Sequence, residues 1–378
     1  MLLHRTSAHD ARVRREATAL AAAGWDVSIL ELAMTDDGQD VAGGVRRISV
    51  LPPRWLASPA PARAFRTAFL GAFVPAIARL RPDVVHAHDA ATLLPALLGA
   101  RLSGSRVVYD SHELASGVQY RSGAWARVVN AIERLGAARA DAIITVSDAI
   151  ADRLRDRYGL ASRPCVVRNV CALPRPKGRR TRRLRSAIDV DEATPVVLHQ
   201  GSAAPGRGCE TLVRSLVHLD STVHLAFLGS TAPGYEVALD GIVDGLGLAA
   251  RVHRLPGVPL PELLTWTREA DVGVTLMQPT CENYRLTIPN KLFEYIAAGV
   301  PVVASETSGA AALVRGGGLG WTADPDDPRS VGAALRAAIG ARADAALRDR
   351  LHKADASLRW ESEQERLIAL YGQLRRRL

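Results

Sequence analysis

Pro289-Asn290-Lys291-Leu292-Phe293-Glu294-Tyr295, followed by Ala297-Ala298-Gly299-Val300-Pro301-Val302-Val303, reads as a helix start, a short helix, a glycine stop and a buried strand. A second buried run, Ala270 to Met277, precedes it across a polar loop. Proline suits the first helical positions, where its missing N–H costs nothing. The amides near Asn290 and Lys291, together with the helix dipole, then form a ready anion site. Glu294 falls one turn further in, on the face that carries Asn290 and Lys291. Taken alone, such a segment is also an ordinary α/β crossover with surface charge. What separates the two readings is that its polar residues gather at the carboxyl end of a strand, where open α/β sheets bind ligands. Amides for a diphosphate and a carboxylate for ribose hydroxyls would suit a nucleotide.

Working outward, 378 residues exceed one ordinary core and suit two α/β domains. Apolar residues make up 48% and aromatics only 5%, which fits Ala/Val/Leu-rich sheets and helices better than an all-β protein. The longest apolar stretch, Ala68 to Ala78, is too short to span a bilayer, and no leader with a cleavage site is found. A cytoplasmic protein is expected, with Cys165, Cys171, Cys209 and Cys281 as unpaired thiols lacking zinc-type spacing. The net charge of +9 points to an anionic partner. Six of the nine residues from Lys177 to Arg185 are Lys or Arg. A solvated linker face is the default for such a run, and peripheral contact with an acidic membrane is the sharper alternative. The run has no interleaved aromatics to stack on bases, so no nucleic-acid partner is expected.

Both halves share one rhythm. Strand-like runs at Asp26–Leu32, Val45–Val50, Asp83–His88, Arg106–Asp110, Ala142–Val146 and Cys165–Arg168 alternate with helical patterns at Ala11–Ala23, Ala64–Leu80, Ala90–Leu102 and Ala124–Ala138. Ser147 is placed to cap a helix over Asp148–Arg157. A Pro- and Arg-rich stretch, Pro174 to Arg185, interrupts the pattern. The rhythm then resumes with strands Val196–Gln200, Val223–Gly229, Val252–Leu255, Val272–Met277 and Val300–Ala304, and helices including Cys209–Leu219, Pro261–Ala270, Asn290–Ala298 and Pro328–Ile339. This order predicts an α/β protein of two Rossmann-like, doubly wound parallel sheets facing across a cleft. The expected division is 1–170 for the first domain, 171–194 for the linker and domain entry, 195–357 for the second domain and 358–378 for a C-terminal helix that can pack on either.

Three more segments carry ionisable groups at strand ends. In Asp83-Val84-Val85-His86-Ala87-His88-Asp89, alternation sets His86 and His88 on one side, either as satisfied core histidines or as site residues. In Tyr109-Asp110-Ser111-His112-Glu113, His112 and Glu113 can bind hydroxyls, or Glu113 can cap a helix. His199-Gln200-Gly201-Ser202 leads to Pro205-Gly206-Arg207-Gly208, where glycines permit close backbone approach and Arg207 offers a fork-shaped charge for phosphate.

The donor-side segment at 289–295 resembles, nearly residue for residue, that of bacterial glycosyltransferases of family 4, and the other elements occur in that family's order. The resemblance implies a GT-B fold and a retaining, metal-independent transfer of a sugar from a nucleotide-diphosphate donor, expected to be a UDP-sugar. It implies that 1–170 is the acceptor-side domain, 195–357 the donor domain and 358–378 a helix crossing back to the first, and the expected acceptor is a hydroxyl of a cell-envelope glycan or secondary metabolite. It implies that His88, Arg207 and Lys291 serve catalysis, the first at the transferred sugar and the cations on the diphosphate. Glu294 then holds the ribose, with Asn290, Pro289, Gly201, Gly208 and Thr287 lining the donor, and His112 and Glu113 on the acceptor side. No cofactor and no metal site of Asp-x-Asp type are expected.

Three departures from the family pattern stand out. Leu286 occupies the place of the family's first donor Glu, so backbone amides of 287–290 or Glu282 would hold the sugar. Ser202 stands where many relatives carry a second cation. Only Met1 to His9 precede the first helix, without a Gly-rich turn. The alternatives are a nucleotide-sugar epimerase on the same fold and a non-catalytic nucleotide-sugar-binding subunit.

Overall fold

The computed structural model describes residues 1–3, 10–32, 43–50, 72–117, 123–178 and 181–376. The turn after the first strand, the 64–71 part of the second helical pattern and Arg179–Arg180 of the basic run lie outside the described residues. The chain forms two compact units, Met1–Asn169 with Glu361–Leu378, and Val170–Trp360.

The N-terminal unit holds β1 (Leu2–Leu3), α1 (Ala11–Ala22), β2 (Ser28–Leu32), β3 (Arg46–Val50) and a helical stretch at 72–80, α2. There follow β4 (Val84–His88), α3 (Asp89–Ser103), β5 (Arg106–Ser111), α4 (Gly123–Ala137), β6 (Ala142–Thr145), α5 (Asp148–Tyr158) and β7 (Cys165–Val166). Its sheet is parallel, in the order β3-β2-β1-β4-β5-β6-β7. The strand order therefore reverses between β1 and β4. Asp10 and Ser147 cap α1 and α5 by accepting from Val13 and Ile150 amides, the second as the sequence anticipates. The C-terminal helix, Trp360–Arg375, sets Leu367, Tyr371 and Leu374 into this unit, with Tyr371 edge-on to Trp25.

The second unit holds α6 (Arg183–Ala187), β8 (Val196–Gln200), α7 (Cys209–Ser215), β9 (His224–Leu228), α8 (Tyr235–Gly245), β10 (Val252–Leu255), α9 (Leu260–Thr267) and β11 (Val272–Thr275). It ends with α10 (Glu282–Leu286), α11 (Asn290–Ala297), β12 (Val302–Ser305), α12 (Ala310–Gly317), β13 (Gly320–Ala323), α13 (Pro328–Gly340) and α14 (Ala345–Ser357). The strand order is β10-β9-β8-β11-β12-β13, again parallel, with the reversal between β8 and β11. Both faces are covered. Val197 packs with Leu212, Val213 and Leu335 on one side, while Val196 and Leu198 pack with Leu292, Tyr295 and Ile296 on the other. Burial on two faces explains why these strands are continuous apolar runs without alternation.

The basic run is not simply a solvated face. Arg185 is fully buried, pairs with Asp271 and donates to the Asp191 and Thr194 carbonyls. Arg183 pairs with Glu262, and the buried Glu269 carboxylate accepts from the Thr181 hydroxyl and from the Arg183 and Leu184 amides. Acidic groups on α9 and beside β11 thus absorb charges that composition alone assigns to solvent.

Candidate active site

The strand order reverses between β8 and β11, and the carboxyl ends of strands at such a point are the place where doubly wound sheets form a ligand crevice. Arg207, Lys291, Glu294, Gly201, Gly208, Asn290 and Pro289 are carried by the segments around it. After β8 the chain turns through Gly201 at φ +87° and Gly208 at φ +68° before opening α7. A Cβ on Gly208 would lie 2.4 Å from the Leu276 carbonyl oxygen, so the loop after β8 and that after β11 touch through a position only glycine fills. The Gln278 amide, donating to the Gly206 carbonyl, ties the same two loops.

Helix α11 is pinned at this crevice by Tyr295. Its ring lies on Gly273 of β11, its hydroxyl donates to the Leu198 carbonyl at 2.9 Å, and it accepts from the Gln200 amide at 3.0 Å. That anchor fixes the rest of the helix. Pro289 precedes the first turn, no side chain caps it, and Asn290 is exposed. Thr287 ends α10, its amide donating to the Asn283 carbonyl. The Glu294 carboxylate accepts from the Gln200 side chain, which in turn accepts from the Thr267 hydroxyl at 2.8 Å.

Lys291 is 8% exposed, and its amine donates to His199 Nε2 at 3.0 Å. Burial, and then the nearby Arg207, push this amine down to about 8. Burial and the same two cations hold the His199 imidazole well below its ordinary value, so it is the neutral acceptor, with its proton on Nδ1. An amine held among other positive groups in an apolar setting gains most from an incoming polyanion. His199 and Gln200 were not singled out from the sequence. The signal was their place, the last two residues of a strand that leads into a Gly-rich turn.

The remaining predicted residues belong to the N-terminal unit, at its own reversal between β1 and β4. Arg12 of α1 grips Asp110 of β5 with Nε and Nη2, both at 3.0 Å, and donates to the Val167 carbonyl at 2.8 Å. Arg12 also lies 2.9 Å from Glu16. His86 and His88 do share a side, their rings stacked at 4.3 Å. The Tyr371 hydroxyl and His86 Nδ1 share a hydrogen bond at 2.8 Å. His112 Nε2 lies 2.9 Å from Asp110 and 3.1 Å from His88 Nδ1, and His112 Nδ1 is 3.7 Å from Asp89. Burial works against protonating His112, but Asp89 and Asp110 hold it up at about 9. Burial also opposes a charge on Asp110, yet Arg12 and His112 keep its carboxyl well below the usual range. Burial and His86 push His88 well down, so His88 is neutral. It is also fully buried, stacked on His86 and in contact with His112. Glu113 is exposed, and its carbonyl accepts from the Ser111 hydroxyl.

Glu16, His86, His88 and Asp110 offer four ligand atoms within 4.8 Å of one another. Arg12 and the His112 imidazolium already supply positive charge there, so a divalent ion would have to displace them. Two Asp-x-Asp tripeptides do occur, at Asp189–Asp191 and Asp324–Asp326, contrary to the expectation of none. Asp191 and Asp324 spend an oxygen on local turn amides.

Residues 11–171 match the model of Glycosyltransferase Family 4, and residues 194–340 match that of Glycosyl transferases group 1. A glycogen synthase of Mycobacterium tuberculosis is 28% identical over 355 residues, covering 86% of this chain and 81% of that protein. Among solved structures, the sucrose-phosphate synthase of Thermosynechococcus elongatus superposes with a TM-score of 0.79 at 20% identity, over 97% of this chain and 93% of that one. The Anabaena protein HepE, solved in complex with UDP-glucose, gives 0.76 at 17% identity over 98% of each chain. With two doubly wound sheets and both family models matched in order, the chain belongs to the family 4 and group 1 glycosyltransferases of the GT-B fold.

Proposed function

We propose that this glycosyltransferase takes its sugar from a UDP-sugar held on the C-terminal unit and passes it, with retention, to a hydroxyl of a cell-envelope glycan or secondary metabolite. The observation that carries this reading is the grouping of Arg207, Lys291 and Glu294 at the β8/β11 reversal. Glu294, braced by Gln200, receives the ribose hydroxyls. Arg207, Lys291 and the first amides of α11 receive the diphosphate, and their charge stabilises the negative charge that grows on the leaving group. Binding of UDP-glucose by HepE, a protein of the same fold, supports the choice of base.

In the transfer, the bond between the anomeric carbon and the phosphate oxygen breaks, and its electron pair leaves with UDP. The acceptor oxygen bonds to the same face of that carbon. Its proton passes to the departing phosphate oxygen. With two protein cations on the diphosphate, the step is proposed to need no metal. Leu286, in place of the family's first Glu, leaves the sugar to backbone amides of 287–290.

The test is a screen of UDP-, GDP- and ADP-sugars against hydroxyl acceptors, D-inositol 3-phosphate and maltooligosaccharides included, in buffer with EDTA. Released nucleoside diphosphate reports turnover, and proton NMR of the product reports the anomer. Transfer from a UDP-sugar with retained configuration is expected. Inverted product, or turnover only after a divalent metal is restored, contradicts the mechanism. Binding of donor without turnover by any acceptor moves the reading to a non-catalytic subunit.

A further inference from the structure

Four non-glycine residues among those described have positive φ: Arg81, Asp89, Arg182 and Asp189. Arg81, Arg182 and Asp189 sit in connecting turns, whereas Asp89 is the first residue of α3, directly after β4. It turns the chain from strand to helix at φ +63°, beside the β1/β4 reversal. An L-residue with a Cβ is strained there, and such strain persists where the surroundings or a function require the side chain.

The ordinary explanations do not use the carboxylate. An acidic residue in a first turn favours the helix dipole, but that asks nothing of φ. Asp89 does not cap α3: His88 occupies the cap position and makes no side-chain cap, and the Thr92 hydroxyl donates to the His88 carbonyl instead. A pure shape requirement would be met more cheaply by glycine. The side chain instead stands 3.7 Å from His112 Nδ1, with a quarter of its surface exposed. Behind this pair, buried groups fix every other direction. Asp110 holds His112 Nε2, Arg12 holds Asp110, and His86 stacks on His88. His88 Nε2, wholly buried, is left without a hydrogen-bond partner among the described residues. The outcome is a carboxylate and an imidazolium presented side by side on a rigid, charged foundation. An acceptor and a donor so placed suit a polyol, whose hydroxyls both give and take hydrogen bonds.

We propose that Asp89 binds the acceptor substrate, its carboxylate accepting a hydrogen bond from a sugar or polyol hydroxyl while His112 donates to a neighbouring one. This inference rests on the glycosyltransferase reading and adds to it a residue that reads as a helix-start acid in the sequence. The test compares Asp89→Gly, which fits the backbone best, with Asp89→Asn, which tolerates this φ and keeps the shape. Each is assayed with the acceptor that the screen turns over fastest, and UDP-glucose binding is measured separately by calorimetry. The expected result is unchanged UDP-glucose affinity, within twofold, and a tenfold or greater loss of acceptor kcat/KM in both variants. Wild-type acceptor kcat/KM in the glycine variant overturns the proposal, because shape alone would then explain Asp89. So does a parallel loss of donor binding, which would make the effect structural. A wild type that turns over no donor at all defeats the transfer reading first, and this inference with it.

Discussion

Lys291 shows how one side chain links burial to ligand binding. Its amine rests on a neutral imidazole beside Arg207 and loses its proton at about 8. A bound diphosphate interacts with the charged form, so the free protein is fully competent only below that value. UDP-glucose affinity is therefore predicted to be flat from pH 6 to 7 and to weaken above pH 8, approaching tenfold per unit until the bound-state value is reached. Calorimetric titrations with UDP-glucose, whose diphosphate does not titrate in this range, at pH 6, 7, 8 and 9 check this, and Lys291→Gln should abolish the slope. His112 works with the opposite sign for folding. Its folded value of about 9 lies above the ordinary 6.5, so its contribution to stability is complete below pH 6.5 and lost as pH rises through 9. The placement of Lys291 and Glu294 on the first turns of α11 was legible in the sequence, because it follows from the helix start at Pro289 and from helix spacing. His199, Gln200, Arg12 and Asp110 were not, because their partners are 92, 94 and 98 residues away. Pairings at that range are set by the sheet order, which no local pattern reveals.

At the scale of elements, α11 and the two crevice loops depend on a few exact fits. The Tyr295 hydroxyl satisfies the Gln200 amide and reaches the Leu198 carbonyl in the core beneath β8. Tyr295→Phe is predicted to cost about 1–3 kcal/mol, since it strands a buried N–H, and to loosen Glu294 through Gln200. Urea denaturation gives the first number and UDP affinity the second. Gly208→Ala should be worse for binding than for folding. It must move the Leu276 carbonyl or abandon φ +68°, and either shift reshapes the loop that carries Arg207. Fully buried strands such as β8 and β11 were readable from the apolar runs they belong to. Strand β13, Gly320-Trp321-Thr322-Ala323, was not, because four residues beginning with glycine gain their strand character only by pairing with β12. The basic run read as a solvated linker for a related reason: Glu262 and Asp271, which pair with Arg183 and Arg185, and Glu269, which accepts from the Arg183 amide, lie some 80 residues further along the chain.

At the scale of the molecule, the chain is built from two parallel sheets that use one plan, each reversing its strand order once and gathering polar residues at that reversal. The sequence displayed the repetition as a broken βα rhythm, and the apolar runs gave the parallel, doubly wound class. Which strands neighbour each other required the structure, since the same rhythm fits several strand orders. Among the described residues no helix is long and apolar enough to cross a membrane. The central claim is that the second reversal is a nucleotide-sugar site. The most direct measurement is calorimetric titration of UDP-glucose, in EDTA at pH 7, into the full chain and its Glu294→Ala variant. The account predicts one site per chain, a Kd at least tenfold weaker in the variant, and about 2.7 kcal/mol of added wild-type stability at 100 times the wild-type Kd. No heat of binding from folded wild type, with UDP-glucose or with any other nucleotide-diphosphate sugar, would contradict it.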